Sequence, residues 1–319
     1  MVTTMERIEK VIENIERVVV GKRKEIELTL VALFAGGHVL LEDVPGVGKT
    51  MMVKAIALSL GADFKRIQFT SDLLPSDVTG VSIYNQRTQQ FEFRSGPIMA
   101  NVVLADEINR TSPKTQSALL ESLEEGSVTV DGETIQLDKP FFVMATQNPI
   151  EYAGTYPLPE AQLDRFLIKL KIGYPSEEEE LEVLNRLQYV HPIEELKPVL
   201  STLEVIDLQL KAKNILVSDE VKMYMINLVH ATRKHHAIRL GVSPRGTIAL
   251  MKASQSYALI QGRDYVIPDD VKHMALYVLA HRMLLSAESR ISNQTVDQIL
   301  EEIIEQTSIP VRQRRFARS

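Results

Sequence analysis

Pro45-Gly46-Val47-Gly48-Lys49-Thr50 holds the residue types that a phosphate-binding turn requires. Such a turn must aim several backbone N–H groups at anionic oxygens. Glycines let the chain turn tightly and approach closely, and a following helix adds its positive end. Gly46, Gly48 and a helix beginning at Thr50 supply these features. At this spacing Lys49 reaches the outer phosphates and the Thr50 hydroxyl is a ligand for Mg2+. Met51 carries the turn into its helix and is grouped with the binding residues. The full pattern G-x-x-x-x-G-K-[ST] asks for glycine at position 43, where this chain has Asp43. That position is a strand end and need not touch phosphate.

A second set of residues supplies the chemistry that a phosphate site alone lacks. Val102-Val103-Leu104-Ala105-Asp106-Glu107 is a buried-type strand that delivers two acids to its C-terminal end, the edge where ligands bind in open α/β sheets. Asp106 is placed to hold the Mg2+ shell, and Glu107 to orient and polarise an attacking water. Asn148 follows another apolar strand, and its carboxamide can hydrogen-bond both that water and a terminal phosphate. Arg165, in Leu163-Asp164-Arg165-Phe166, opens a further strand. Arg245 falls in the first turn of a predicted helix after Ser243-Pro244. A cation there opposes the helix dipole at a cost of up to about 1 kcal/mol. A phosphate would reverse that penalty, as would an acid from the same chain. Arg110, just after the acidic pair, is a third candidate of the same kind.

These residues need a scaffold, and the pattern of the chain provides one. Short apolar runs alternate with helical patterns over the first two thirds, which predicts a mainly parallel sheet with helices on both faces. Strands are expected at 38–41, 63–70, 102–105, 141–145 and 166–172. Helices are expected at 1–22, where Thr3 and Glu6 form a capping box, at 50–60, and from Ser112-Pro113 to Glu125 with Gly126 as the stop. Two β-prone segments interrupt the alternation. Val81–Phe93 surrounds a polar centre at Asn85–Gln90, and Ser127–Leu137 contains an Asp131-Gly132 turn, so both read as hairpins. After Gly173-Tyr174-Pro175 the pattern is helical only, starting with a Ser176/Glu179 capping box and continuing near 218–235, 243–261, 268–284 and 294–306. The expected division is therefore an α/β domain at 1–174 and an all-α domain at 175–319.

Composition narrows the function classes. There is no cysteine among the 319 residues, which removes disulfides, thiolate catalysis and Cys-ligated metals. The seven histidines show no metal-ligand spacing. The net charge of −6 argues against nucleic acid as the main partner, although Arg312, Arg314, Arg315 and Arg318 make a local basic tail. No stretch approaches the roughly 20 uncharged apolar residues of a membrane helix. The amphipathic start does not resemble an export signal, so the expected location is cytoplasmic.

The ordered set PGVGKT, VVLADE, ATQN, LDRF and SPRG resembles the AAA+ ATPases, and LLEDVPGVGKT with LPEAQLDRF is similar to their MoxR family. The resemblance covers nearly the whole chain. It implies a P-loop core with a five-stranded parallel sheet, two hairpin insertions and a small helical lid. It implies ATP or ADP with Mg2+ as ligands. Lys49 and Thr50 then match Walker A, Asp106 and Glu107 Walker B, Asn148 sensor 1 and Arg245 sensor 2. Arg165 matches the arginine finger, which acts on a neighbouring subunit's nucleotide. Val19-Val20-Gly21 matches the segment near adenine. The family implies a ring, usually a hexamer, and a chaperone-like role on partner proteins that often carry von Willebrand factor A domains. Two other functions fit the same motifs: a nucleic-acid motor of the hairpin-insert clade, and a nucleotide switch without turnover. The second hairpin has no Lys or Arg, and the first has only Arg87 and, at its end, Arg94. A grip on DNA or RNA wants more positive charge than that.

Overall fold

The computed structural model describes residues 3–43, 46–148, 155–188 and 192–310. Its contacts divide the chain into two units, 1–210 and 211–319. The change of character read at 174–176 is a change of secondary structure; the contact boundary falls later along the chain.

The first unit begins with α1 (Thr4–Glu16) and α2 (Arg23–Phe34) and continues through β1 (Val39–Glu42), α3 (Lys49–Ser59), β2 (Phe64–Gln68) and α4 (Pro75–Thr79). A hairpin of β3 (Gly80–Asn85) and β4 (Gln90–Ser95) precedes β5 (Val102–Asp106) and α5 (Pro113–Glu125). A second hairpin, β6 (Ser127–Val130) and β7 (Glu133–Gln136), precedes β8 (Phe142–Gln147), α6 (Glu160–Leu163) and β9 (Ile168–Leu170). Two helices follow, α7 (Glu177–Leu187) and α8 (Thr202–Lys213), and α8 runs across the boundary into the second unit. The five long-range strands form one parallel sheet in the order β2-β5-β8-β1-β9. All five expected strands are present; β2 and β9 are shorter than expected at both ends, whereas β1, β5 and β8 run one or two residues further.

The apolar runs explain the sheet. Every residue of β5 and the first three of β1 are buried, as strands covered on both faces must be. Leu40, Val103, Ala105, Val143 and Ala145 pack on one face with Leu119, Leu120 and Leu123 of α5. On α1 and α3, which pack together, Val11, Ile12, Ile15, Val53 and Ile56 are buried. Edge strand β2 is mostly exposed and carries Lys65 and Arg66, charges that discourage pairing with a further strand.

Local signals act where they are strongest. Thr3 and Glu6 make both bonds of the capping box. The Ser112 hydroxyl accepts from Thr115 N, and Gly126 closes α5 in the left-handed region. Asp131 and Gly132, at φ 52 and 85, make the tight turn between β6 and β7. The first helix stops at Glu16, six residues short of expectation. Arg186 Nη1 donates to the carbonyls of Glu16 and Arg17 at 2.6 and 2.8 Å, so a side chain of α7 satisfies the end of α1.

The second unit holds α9 (Asp219–Lys234), β10 (Ile238–Leu240), α10 (Pro244–Ile260), α11 (Pro268–Leu279), β11 (Leu284–Leu285), α12 (Ala287–Ile291) and α13 (Val296–Gln306). It is the expected helical body with one addition. The sequence pattern reads as helix only, but β10 and β11 pair as a short antiparallel ribbon, which ends α11 at Leu279 instead of 284. Buried Tyr224, Leu228, Leu250, Val271, Val278 and Leu300 form its core. Arg263 grips Asp270 through two bonds of 2.7 and 2.5 Å, and Asp270 also accepts from Ile267 N at the start of α11. Among the described residues no helix is long and apolar enough to cross a membrane.

Candidate active site

Three neighbouring strands of the sheet, β5, β8 and β1, end at the same edge, and the candidate residues follow their last positions. β1 runs through Asp43 into the glycine turn, β5 ends in Asp106 and β8 leads to Asn148. Val44 and Pro45 lie outside the described residues, so Pro45 is not placed. Gly46 and Gly48 adopt φ 91 and 85, and Gly48 caps α3 from the left-handed region. A side chain at Gly48 would meet nothing within 4 Å, so the backbone angle and not crowding asks for glycine. Lys49 and Thr50 then open α3, where free N–H groups and the helix dipole favour an anion. Lys49 Nζ donates to the Asp43 carbonyl at 3.1 Å.

Asp106 and Glu107 are fixed from several directions. Thr146 Oγ1, fully buried on β8, donates to Asp106 Oδ1 at 2.6 Å and accepts from Glu107 N at 2.8 Å. One hydroxyl thus holds both acids. Arg66 Nη2 reaches Asp106 Oδ2 at 2.6 Å and Gln68 Oε1 at 2.7 Å. Gln68 Nε2 donates to Glu107 Oε2 at 2.8 Å, and Arg110 Nη1 reaches the same oxygen at 3.0 Å. Glu107 sits at φ 59 and ψ 48, a left-handed conformation that costs a non-glycine residue on the order of 1–3 kcal/mol. The surroundings that impose this strain also set the direction of the carboxylate.

The donor chemistry fits Mg2+. A hydroxyl at the head of α3 and a carboxylate at the end of β5, with α3 packed on that strand, are hard oxygen ligands. Mg2+ usually takes one or two protein carboxylates and completes its shell with phosphate and water. Among the described residues no three His, Cys, Asp or Glu side chains gather as an all-protein cage.

Asn148 is buried, and its carbonyl accepts from Asn109 Nδ2 at 3.3 Å. Arg165 lies between α6 and β9, its Nε 3.1 Å from Glu124 Oε2 at the end of α5, an ion pair without hydrogen-bond alignment. Arg245 lies in the second unit, in the first turn of α10, whose Ser243 cap accepts from Gly246 N.

A cavity of about 190 Å3 adjoins the glycine turn. Val18, Val19, Val20 and Lys22 from the α1–α2 turn line it with Gly46, Val47, Gly48 and Met51. Pro175, Val183, Arg186, Leu187 and Pro192 complete the wall. The structure therefore brings Val19 and Val20 to the phosphate loop across more than twenty residues of sequence, and Gly21 turns the chain beside them at φ 71. Apolar walls next to the glycine turn and the head of α3 suit a ligand with a flat apolar end and an anionic end.

Sequence reasoning missed Arg66, Gln68 and Thr146 around the acids, and Lys22, Val183 and Leu187 around the cavity. No motif marks them except Thr146, which lies in ATQN, where only Asn148 was assigned a role. Their only signal is polarity on an otherwise strand-like segment for the first group, and helix periodicity for the last two.

Known proteins share these features. Residues 38–168 match the family model described as "ATPase family associated with various cellular activities (AAA)", and residues 230–303 match the AAA lid domain. Protein YeaC of Bacillus subtilis, itself uncharacterised, is 63% identical over 302 residues, covering 95% of this chain and 94% of its own. Chaperone MoxR1 of Mycobacterium tuberculosis is 43% identical over 312 residues, covering 95% of this chain and 82% of its own. A crystal structure from Cytophaga hutchinsonii agrees with a TM-score of 0.91 at 40% identity, covering 97% of this chain and 96% of its own. With the glycine turn, the paired acids and a lid domain in this order, the chain belongs to the AAA+ ATPases and, within them, to the MoxR family.

Proposed function

We propose that this protein hydrolyses ATP with Mg2+ between the subunits of a ring, a hexamer in the family's usual form, and uses the cycle to remodel or activate a protein partner. The observation that carries this reading is the meeting of Val18–Val20 with Gly46–Gly48 in one cavity, at the sheet edge that also holds Asp106 and Glu107. ATP has the two ends that this site accepts. Lys49 and the backbone of the loop bind the phosphates, and Thr50 and Asp106 would hold Mg2+, which when bound would supply charge neutralisation for the transferred phosphoryl group. Glu107, aimed by Thr146, Gln68 and Arg110, orients the water, and Asn148 steadies it.

Arg165 gives the ring its chemical purpose: in trans it stabilises charge on the neighbour's phosphates, exchanging its ion pair with Glu124 for them. Arg245, which matches sensor 2 by resemblance, is a further cation for a nucleotide of its own chain or of a neighbour. A protein client, possessing a von Willebrand factor A domain in the family's common pattern, fits better than nucleic acid. The β3–β4 hairpin exposes Val81, Ile83, Tyr84, Phe91 and Phe93, an apolar surface that suits protein. A cytoplasmic setting accords with the same reading.

ATPase rate per subunit, followed against protein concentration, tests the proposal. The rate rises as the ring assembles, Arg165→Ala abolishes the rise, and Glu107→Gln binds ATP while turning over at least about 100-fold more slowly. A rate independent of concentration together with an active Arg165→Ala would refute the shared site. Normal turnover in Glu107→Gln would remove Glu107 from its role.

A further inference from the structure

Asp43 is the one residue that breaks the glycine-loop formula, and it is buried. Its carboxylate turns toward the segment after β9. Asp43 Oδ2 accepts from Ile172 N at 2.6 Å and from Gly173 N at 2.7 Å. Bonds to an ionised acceptor are about twice as strong as neutral ones. The backbone carbonyl of the same residue accepts from Lys49 Nζ at 3.1 Å. A single residue thus touches the lysine of the phosphate loop through its main chain and a distant segment through its side chain.

That segment leads to the apolar wall of the cavity. Gly173 bends the chain at φ 69, and Pro175, two residues on, already lines the cavity. Lys22, another lining residue, donates to the Tyr174 carbonyl at 3.2 Å and stands 3.6 Å from Glu179. The Ser176/Glu179 capping box then starts α7, which presents Val183 and Leu187 to the cavity. The fit at the head of α7 is close: a Cβ on Gly21 would lie 1.7 Å from Glu179 Oε1. Segment 172–175 is therefore held at one end by Asp43 and at the other by Lys22. An inorganic triphosphate has no apolar face to set against Val183, Leu187 or Val18–Val20, whereas a purine base has one.

We propose that Asp43 is a positioning residue that locks the apolar wall to the phosphate loop, so that base and phosphates are bound as one ligand. The inference rests on the reading of the cavity as the ATP site. Glycine at position 43 would complete the loop formula and remove the tie between the phosphate loop and this segment, leaving the wall to the bonds made by Lys22 and Arg186.

Titration calorimetry on the full chain with MgATP and with inorganic tripolyphosphate separates the two parts. Wild type binds both and ATP more tightly. Asp43→Gly, the variant that restores the formula, binds tripolyphosphate within about twofold of wild type but ATP at least about tenfold more weakly, a loss of about 1.4 kcal/mol. Asp43→Asn keeps an oxygen able to accept both N–H groups and binds ATP within about threefold of wild type. If Asp43→Gly does not fold by its thermal transition, Asp43→Ser, whose hydroxyl is too short to span to both donors, takes its place with the same expectation. Unchanged ATP affinity in Asp43→Gly, or in Asp43→Ser where that variant replaces it, overturns the proposal, as do equal losses for the two ligands or an Asn variant as weak as the Gly variant. Wild type that binds neither ligand overturns the ATP reading of the cavity instead.

Discussion

Thr146 shows how much of this site depends on a residue that its motif, ATQN, carries without an assigned role. Its hydroxyl is shared by the Asp106 carboxylate and the Glu107 N–H, and it is fully buried. Thr146→Val keeps the shape and removes both bonds, leaving two polar groups unsatisfied at about 1–3 kcal/mol. Urea unfolding should register that loss, and ATP turnover should fall more than ATP affinity; an unchanged midpoint would show that water replaces the hydroxyl. His38 makes a different prediction. Its Nδ1 accepts from Val143 N and its Nε2 lies 3.1 Å from the Leu123 carbonyl, so the neutral ring carries its proton on Nε2. Burial holds its pKa down at about 4. Once unfolded it takes up a proton at its ordinary value near 6.5, so its contribution is present above that pH and is lost as pH falls from about 6.5 to about 4. The loss amounts to about 3 kcal/mol at the acid end. Stability measured by urea at pH 7, 5.5 and 4.5 should decline in that window, and His38→Gln should flatten the decline.

At the scale of elements, buried pairs decide where helices begin and end. Arg263 and Asp270 join the α10–α11 connection to the first turn of α11, and the Asp270 side chain is only 3% exposed. Arg263→Ala strands a buried carboxylate and should cost about 3–5 kcal/mol, read from thermal or urea unfolding. Replacement of both partners by apolar residues should cost much less, because no charge is left behind. A long-range device ends α1, where Arg186 of α7 takes the last carbonyls. Periodicity continues past Glu16, but a side chain some 170 positions away supplies the stop.

At the scale of the molecule, the proposed ring makes each site a joint product of two chains. Lys49→Ala lacks phosphate binding and Arg165→Ala lacks the cation given to a neighbour, so each alone should be inactive. Mixed in equal amounts in a ring of head-to-tail contacts, about a quarter of the sites combine an intact loop with an intact Arg165. ATPase measured on the mixture should recover to a fraction of that order. No recovery, with rings shown to exchange subunits, would mean that Arg165 acts within its own chain.

The sequence by itself determined the chemistry and the layers. PGVGKT needs a strand before it and a helix after it, and VVLADE is too apolar to lie anywhere but the middle of a sheet; both signals are local, and the structure has both elements. Capping residues at Thr3, Ser112 and Ser176 marked helix starts for the same reason. Only the tertiary structure decided which side chains from other strands hold the acids, because Arg66, Gln68 and Thr146 reach them across the sheet. It likewise decided that Val18–Val20 and α7 wall the cavity and that Asp43 faces Gly173. Those relations depend on strand order and on the path of connections. They leave no period in the chain, and a departure such as Asp43 reads as a flaw in the motif until its partners 130 positions away are in place.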